Sequence, residues 1–432
     1  MKELAHLKHL SAVKSGKGIL FLTPAVSPGC HCPMRMAALT AGNIDGLSSL
    51  LVGMPECTTH VRLFNPKPEG KHGELHWLYV LDANEVVFGC RNGVMDALRK
   101  MDKAGAKGIL LIATCVPELI GEDMEALVQE IQPELKAPVA QVMLGQFKNF
   151  SYPPGYWKTF EALGALMKSG QTNPLQINVL GRSPKEDHIP MPSLFTELER
   201  KGVFIRYLAP EASLADFQNA PDAALNLVIS PYTEPLAARM KQDFGVPYLS
   251  LHTVFSVQEI DSAYAQIAQR FGLTWDGEFA VERAKAAELE QRAKESFAGL
   301  RYICTLGVSL PLALAIYLAG LGMEPLLLHM EEFYPEDKAH AKRLLALGQN
   351  PPICRMVHGE SDLPILESLA PDICFGGLPP ENKTIPKLDQ MYKMYGRVGY
   401  DLTVELLTHI FAVLDKAKYF KRGEKNHGTT SL

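Results

Sequence analysis

Short apolar runs alternate with longer segments of helical periodicity along most of the chain. The runs are rich in Val, Ile and Leu and end at turn residues, which is typical of buried parallel strands. The intervening segments repeat apolar residues every three or four positions, as helices covering a sheet do. The alternation predicts an α/β fold. The predicted strands cover 19–22, 50–52, 108–113, 139–144, 176–180, 203–207, 225–229, 247–251, 302–308, 325–329, 352–357 and 372–375. The predicted helices cover 92–101, 194–201, 234–244, 257–271, 310–321, 336–347, 363–369 and 399–418.

The pattern divides the chain into three similar units. It predicts three Rossmann-like, doubly wound parallel-sheet domains over 1–172, 173–298 and 299–432. A length of 432 residues is enough for two to four domains with separate cores. The second domain ends in a charged, alanine-rich segment that predicts a solvated connecting helix. The aromatic, proline-rich segment 145–157 is predicted to be a loop that either lines a ligand pocket or packs on its own aromatic rings.

Composition excludes several classes of protein. Hydrophobic residues at 47% and charged residues at 21% are ordinary for a globular protein, and a net charge of −5 provides no basic surface for nucleic acid. The sequence has no apolar run long enough to span a membrane, and its first residues lack the apolar core of a signal peptide. We therefore expect a cytoplasmic protein with neither a nucleic-acid nor a membrane partner, whose eight cysteines are reduced thiols or ligands.

Three cysteines follow predicted strands or turn-rich segments in the first domain. Cys32, Cys57 and Cys115 each come after an apolar run, and Cys115 also precedes a predicted helix. Because parallel strands place their carboxyl ends at one sheet edge, we expect the three thiols to converge there. Such a set suits an iron–sulfur cluster better than a disulfide framework. A lone cysteine is more often a core residue, however, and the chain has neither a CxxC pair nor the ferredoxin pattern, so zinc has little support.

Five short motifs occur in a fixed order around these cysteines. The chain thereby resembles the component 1 family of nitrogenases, which includes catalytic α and β subunits, scaffolds for cofactor assembly and tetrapyrrole reductases. The Phe-Gly and Thr-Cys motifs resemble the β-type and scaffold members most. The motifs are Cys-Pro-Met-Arg from Cys32, Asn-Ile-Asp-Gly from Asn43, Gly-Met-Pro-Glu-Cys from Gly53, Phe-Gly from Phe88, and Thr-Cys-Val-Pro-Glu-Leu-Ile-Gly-Glu-Asp from Thr114.

The resemblance implies a ligand role for Cys32, Cys57 and Cys115. In this family the matching cysteines hold either a single [4Fe–4S] cluster or an eight-iron P cluster at the junction of two homologous subunits. A cubane takes four thiolates, so either a second chain or a fourth residue of this chain would complete the shell. The resemblance favours a homologous component 1 subunit, identical or different. Cys30 is the alternative to Cys32, but the spacing to Asn43 and Cys57 keeps Cys32 in register with the family.

Two positions depart from the family pattern. The cysteine that anchors the large iron–molybdenum cofactor of the α subunit corresponds to Ser230, and the histidine at the cofactor's other end corresponds to Val398. Serine is a poor ligand for a soft iron–sulfur core, and valine is no ligand. We therefore expect no α-type cofactor site in this chain.

The resemblance leaves two functions open. The first is a subunit of a two-component oxidoreductase, in which an ATP-dependent iron–sulfur reductase passes electrons through the junction cluster to a substrate such as a tetrapyrrole, a carbon–sulfur compound or dinitrogen. The alternative is a non-catalytic scaffold on which a metal–sulfur cofactor is assembled. A redox-inert sugar- or nucleotide-binding protein is disfavoured, because the sequence has no Gly-x-Gly-x-x-Gly or P-loop motif.

Structural roles are expected for most of the remaining candidates. Cys304, Cys354 and Cys374 are predicted to be core residues of strands, and Cys90 is predicted to be structural. Glu118 and Asp123 are interpreted as helix caps. His31 and His60 flank the cluster motifs. They are interpreted either as hydrogen-bond donors to the cluster or a proton source, or as packing or surface residues.

Overall fold

A computed structural model gives the fold of the chain. It describes residues 4–23, 32–62, 67–149, 152–185, 189–306, 311–356, 358–389, 391 and 394–427, and the side chains of these residues except 58–60, 311 and 418–427. Within these ranges, no helix is both long enough and apolar enough to cross a membrane.

Helices and strands alternate along the chain. The strands are β1 (Lys8–His9), β2 (Leu20–Phe21), β3 (Ser48–Gly53), β4 (His76–Val80), β5 (Ile109–Ala113), β6 (Val139–Met143), β7 (Asn173–Leu180), β8 (Phe204–Leu208), β9 (Ala223–Val228), β10 (Tyr248–Ser250), β11 (Arg301–Cys304), β12 (Glu324–His329), β13 (Pro352–Arg355), β14 (Ile373–Phe375) and β15 (Lys387–Leu388). The helices are α1 (Pro33–Gly42), α2 (Pro55–Arg62), α3 (Ala83–Phe88), α4 (Arg91–Lys103), α5 (Cys115–Leu119), α6 (Met124–Ile131), α7 (Pro153–Leu163), α8 (Ser193–Arg200), α9 (Leu214–Asn219), α10 (Glu234–Phe244), α11 (Val257–Phe271), α12 (Ala280–Ser296), α13 (Pro311–Gly320), α14 (Asp337–Ala346), α15 (Gly359–Ser368) and α16 (Gly399–His427).

The chain folds into two compact units. The cysteine unit comprises Cys30–Asp187 and Leu198–Ser250, and the terminal unit comprises Met1–Gly29, His188–Glu197 and Leu251–Leu432. The domain limits drawn from the sequence, at 172 and 298, stay a prediction.

Two four-stranded parallel sheets form the cysteine unit. Their strand orders are β4-β3-β5-β6 and β10-β9-β7-β8. Helices bury β3 and β5 on both faces, so neither strand alternates between apolar and polar residues. In each sheet the chain builds outward on one side and then on the other, which is doubly wound topology.

One larger sheet forms the terminal unit. Its order is β1-β13-β12-β11-β14-β15, with β2 also paired to β13. Every pairing is parallel except that of β1 with β13. The three sheets, which are parallel except at β1, confirm the predicted α/β class with Rossmann-like topology.

The structure agrees with most of the predicted elements and differs at a few. Helices α10 and α11 have the predicted bounds, and each ends at a glycine, Gly245 or Gly272, in the left-handed conformation that stops a helix. The pattern missed β4. Segment 145–157 is also not a single loop, because α7 begins at Pro153. Proline fits the first turn of a helix, where the missing N–H has no partner in any case.

Asp337, at the first position of α14, makes the stability of the protein depend on pH. Burial raises the pKa of this carboxyl to about 7, although it accepts a hydrogen bond from the Tyr334 N–H at 2.8 Å. In the unfolded chain an aspartate titrates near pH 4. Between these values the folded protein binds a proton that the unfolded chain has released, so stability falls as pH rises, by up to about 1.4 kcal/mol per pH unit.

The variant Asp337→Asn tests this effect. Its amide oxygen still accepts the Tyr334 N–H but does not ionise, so we expect Tm to fall less between pH 5 and pH 7 than in the wild-type protein. Thermal melts at several pH values measure the difference, and parallel Tm curves for the two proteins would contradict it.

Candidate metal centre

Cys57 and Cys115 follow the two neighbouring strands at which the first sheet reverses its strand order. β3 pairs with β4 on one side and with β5 on the other. In an open α/β sheet this reversal leaves a crevice at the carboxyl ends of the two strands, where ligands bind. Cys57 lies in the first turn of α2, directly after β3, and Cys115 begins α5, directly after β5. The topology therefore presents both thiols at the switch point.

Gly53, the last residue of β3, keeps the strand ends close. A Cβ atom at Gly53 would overlap Thr114 Oγ1 and would lie 3.2 Å from Cys57 Sγ. Thr114 is 2% exposed, and its Oγ1 has no hydrogen-bond partner among the described residues. A buried hydroxyl without a partner costs stability. Thr114 thus supplies an uncommitted donor beside the Cys57 thiol.

Cys32 lies at the N-cap of α1 and is half-buried. Burial raises the pKa of its thiol above the ordinary value, and the charges of Cys115 and Cys57 raise it further. The nearby backbone N–H groups of Met34 and Arg35 lower the same pKa, and the Arg35 N–H donates to the Cys32 carbonyl at 3.2 Å. Cys32 therefore lies close enough to Cys115 and to Cys57 for their charges to act on its thiol.

The loop after β6 directs a donor at Cys115. The Gln146 N–H donates to Cys115 Sγ at 3.2 Å. Glu118 accepts the Gly145 N–H at 2.6 Å and forms an ion pair with Lys148 Nζ at 2.8 Å. Glu118 is therefore a loop anchor and not the helix cap that the sequence suggested. Asp123, in contrast, does cap α6 by accepting the Ala126 N–H at 2.9 Å.

Helix α7 fixes the start of α1. Gly155 faces α1 at such close range that a Cβ atom there would overlap the carbonyl oxygen of Pro33 and lie 2.8 Å from Met36 Cβ. Pro33 directly follows Cys32, so the position of the Cys32 thiol depends on this crossing. The segment that the sequence predicted to be an aromatic loop thus includes a helix that supports the site.

The donor set fits part of an iron–sulfur shell. Among the described residues, no three His, Cys, Asp or Glu side chains form a group that could hold a metal ion. A cubane differs from a single ion, because each thiolate binds a different iron atom. Cys32, Cys57 and Cys115 are free and half-buried, and Cys115 accepts a backbone N–H hydrogen bond of the kind that tunes cluster sulfurs. They amount to three of the four thiolates that a cubane needs.

The other described cysteines are buried. Cys304, Cys354 and Cys374 lie in strands of the terminal unit and are at most 2% exposed. Burial raises the pKa of Cys304 and of Cys374 to about 12, as expected of inert core thiols. Cys90 is fully buried, and burial together with Glu122 raises its pKa to about 12.

Three candidates lie outside the described part of the chain. Cys30 and His31 precede the described residues of α1, and the side chain of His60 is likewise not described. The choice of Cys32 over Cys30 therefore stays a prediction.

Ser230 and Val398 have ordinary structural surroundings. Ser230 follows β9 in the second sheet, and its hydroxyl accepts the Tyr232 N–H at 3.4 Å. A Cβ atom at Gly181, which follows the neighbouring strand β7, would overlap the Ser230 side chain, so Ser230 lies at the switch point of that sheet. Val398 is fully buried in the terminal unit.

Sequence reasoning missed the residues that support the thiols. Thr114 and Gly155 gave no signal, because a threonine before a cysteine and a glycine after two prolines have many structural uses. Gln146 contributes a backbone N–H, which every residue except proline possesses.

The fold and the thiol-lined switch point define an α/β protein built like a nitrogenase component. The chain belongs to the family described as nitrogenase component 1 type oxidoreductase, whose sequence profile matches residues 32–415. This confirms the resemblance seen in the motifs. A solved structure titled "Nitrogenase Cp1 at pH 6.5" superposes with a TM-score of 0.67 at 16% identity and covers 91% of this chain and 94% of that chain. At that identity the likeness shows the fold alone.

Several curated relatives are cofactor biosynthesis proteins. The nitrogenase iron-molybdenum cofactor biosynthesis protein NifE of Nostoc sp. is 23% identical over 61% of this chain and 57% of its own length. The NifE of Sinorhizobium fredii is 23% identical over 89% of this chain and 84% of its own length. A subunit of the light-independent protochlorophyllide reductase of Gloeothece citriformis is 24% identical over 40% of this chain and 37% of its own length. The chain thus spans little more than half of the first of these relatives.

Proposed function

We propose that this chain is a scaffold subunit on which a metal–sulfur cofactor is assembled, and that Cys32, Cys57 and Cys115 hold an iron–sulfur cluster in it. The observation that carries the proposal is the meeting of three half-buried thiols at the switch point of the first sheet. A bound cluster would supply electron transfer at this point. The chain itself contributes thiolates, the Gln146 N–H that donates to Cys115 Sγ, and the Thr114 hydroxyl.

A second component 1 chain completes the proposed shell. Three thiolates leave one iron of a cubane without a protein ligand, and an eight-iron cluster would need still more. All three cysteines are only partly buried, which agrees with a site that another subunit covers. We therefore infer an oligomer, identical or mixed, that works in the cytoplasm, where thiols stay reduced.

Two features favour a scaffold over a terminal reductase. Several relatives carry the NifE name, which describes a cofactor biosynthesis protein. Ser230 and Val398 also replace the two ligands that the α subunit uses to hold its large cofactor. A scaffold has to release its product, so weak anchoring agrees with that task, whereas a catalytic subunit has to keep its cofactor. The sequence had favoured the reductase, and the relatives favour its alternative.

The reductase subunit stays the second candidate. The similarity to the protochlorophyllide reductase of Gloeothece citriformis favours it, because that relative is named as a reductase component. In this case an ATP-dependent iron–sulfur reductase would deliver electrons to the thiol site, and a partner chain or other residues would hold the substrate.

A transfer experiment separates the two functions. The full chain is purified without oxygen from cells that make a molybdenum–iron–sulfur cofactor, and is then mixed with a nitrogenase component 1 that lacks this cofactor. We expect molybdenum and iron to leave the chain and to activate the acceptor, and we expect no ATP-dependent reduction of acetylene or protochlorophyllide when the chain is mixed with an iron–sulfur reductase alone. Turnover by the chain with reductase and ATP, with its metals retained, would establish the second candidate. Turnover with a ferredoxin and no ATP would contradict both.

A further inference from the structure

Thr114, the N-cap residue of α5, uses its backbone for hydrogen bonds but not its side chain. Its N–H donates to the Val52 carbonyl at 3.1 Å, and its carbonyl accepts the Glu118 N–H at 3.4 Å. A threonine at an N-cap commonly accepts a backbone N–H of the first turn with its hydroxyl, which stabilises the helix. The Thr114 hydroxyl makes no such bond and has no other partner among the described residues. An unpaired buried hydroxyl of this kind calls for a partner that the chain alone does not supply.

The Thr114 hydroxyl and the Cys57 thiol border the same small space beside Gly53. A Cβ atom on Gly53 would overlap Thr114 Oγ1 and would lie 3.2 Å from Cys57 Sγ. Because glycine has no Cβ atom, no side chain of Gly53 separates the two groups. The hydroxyl hydrogen rotates about its C–O bond without moving any heavier atom. It can therefore turn toward the sulfur.

The surroundings of the Thr114 side chain strengthen a hydrogen bond to a charged acceptor. Thr114 is almost completely buried, and Val52 and Ala113, which face each other in the β3–β5 pair, are fully buried. In a medium of low dielectric, a hydrogen bond is electrostatically stronger than in water. A thiolate that shares the negative charge of an iron–sulfur cluster is a strong acceptor, whereas a neutral thiol is a weak one. We therefore expect the hydroxyl to pair with Cys57 once this thiol is ionised.

We propose that the Thr114 hydroxyl donates a hydrogen bond to Cys57 Sγ in the cluster-bound protein and thereby raises the reduction potential of the cluster. The inference rests on the proposed function, because it requires a cluster on Cys57. One electron supplied by a reductant adds one negative charge to the irons, sulfides and thiolates, and a donor to a thiolate stabilises this more negative state. Thr114 binds no iron itself. It is a positioning residue that acts through Cys57 and sets how readily the site accepts an electron.

Two substitutions at Thr114 separate the effect of the hydroxyl from that of the shape of the side chain. Thr114→Val has nearly the same shape and lacks the hydroxyl, whereas Thr114→Ser keeps the hydroxyl. Both variants keep the three cysteines, so we expect both to hold as much iron as the wild-type protein. Thr114→Val removes a buried polar group that has no partner, so we expect the cluster-free chain to keep its Tm or to gain in Tm.

Thr40→Val is the matched control. Thr40 is also buried, and its Oγ1 has no hydrogen-bond partner in the described part of the chain. Thr40 follows Cys32 by eight residues, which is about 12 Å along α1. A shift caused by the loss of any buried hydroxyl in this unit would appear in both valine variants, whereas the proposed hydrogen bond is lost only in Thr114→Val.

Anaerobic redox titration of the reconstituted full chain measures the potential, with dithionite as the reductant and the EPR signal of the reduced cluster as the readout. We expect a lower potential for Thr114→Val and wild-type potentials for Thr114→Ser and Thr40→Val. In heavy water, deuterium ENDOR is expected to detect one exchangeable hydrogen fewer near the cluster in Thr114→Val than in the other three proteins. An unchanged potential in iron-loaded Thr114→Val, or an equal shift in Thr40→Val, would overturn the inference and leave the proposed function intact. Wild-type protein that binds no iron would overturn both.

Discussion

Replacement of Cys57 by alanine is expected to remove most of the iron and sulfide from protein purified without oxygen. Cys57 lies between the ends of β3 and β5, beside Thr114 and within the electrostatic reach of Cys32. A cubane that loses one of its thiolates is labile, because an iron atom is then left open to water. Cys32→Ala and Cys115→Ala are expected to have the same effect. Iron and sulfide analysis, together with the brown cluster absorbance, measures the loss.

Buried cysteines provide matched controls. Cys90→Ala changes a thiol in the same unit, and Cys304→Ala changes one in the terminal unit; both thiols are buried, and neither belongs to the set of three. Each change is expected to cost about 1–2 kcal/mol in packing and to leave the iron content unchanged. Full iron content in Cys57→Ala, or iron-free wild-type protein after anaerobic reconstitution, would rule out the assignment.

The sequence alone predicted the strands and helices that have a clear local pattern of apolar residues. Buried strands such as β5 are unbroken apolar runs, and long helices such as α11 have a clear period and a closing glycine. β4 was missed because it is half-buried along most of its length and follows a polar segment. β1 and β2 were not assigned to the terminal unit, because their partner β13 lies more than 300 residues away and nothing local indicates such a pairing.

The sequence predicted the three thiols of the candidate site but not the residues that hold them in position. Strand-end positions indicated that Cys57 and Cys115 belong together, because parallel strands end at one edge. Cys32 does not follow a long strand, and it reaches the other two because α1 packs against α7. This packing depends on Gly155, which allows a close approach to Pro33. The pattern of apolar residues along the chain does not indicate such an approach.

Gly155→Ala is the second variant for which we expect a large effect, on both stability and iron content. On an exposed helix this change is favourable by up to about 1 kcal/mol, since alanine is the better helix former. Here the new methyl group overlaps the Pro33 carbonyl oxygen, and backbone does not move aside as a side chain does. We expect a net loss of about 2–3 kcal/mol, seen as a Tm lower by roughly 5–10 °C. Because α1 has to shift, Cys32 moves too, so iron content is expected to fall even at temperatures where the variant is folded.

Gly164→Ala is the control for Gly155→Ala. It tests whether the loss of stability comes from the α1–α7 contact or from any glycine-to-alanine change near α7. Gly164 follows α7, has helical backbone angles, and would place its Cβ atom 2.7 Å from Cδ of Arg239, whose side chain donates to the Glu161 carbonyl. Because a side chain gives way more easily than backbone, we expect this control to lose less Tm than Gly155→Ala and to keep its iron. If Gly155→Ala kept its Tm, the α1–α7 contact would be looser than the structure shows. If Gly155→Ala lost stability but kept all its iron, the Cys32 thiol would not depend on this crossing, and the support of the site would have to come from the residues around Cys57 and Cys115.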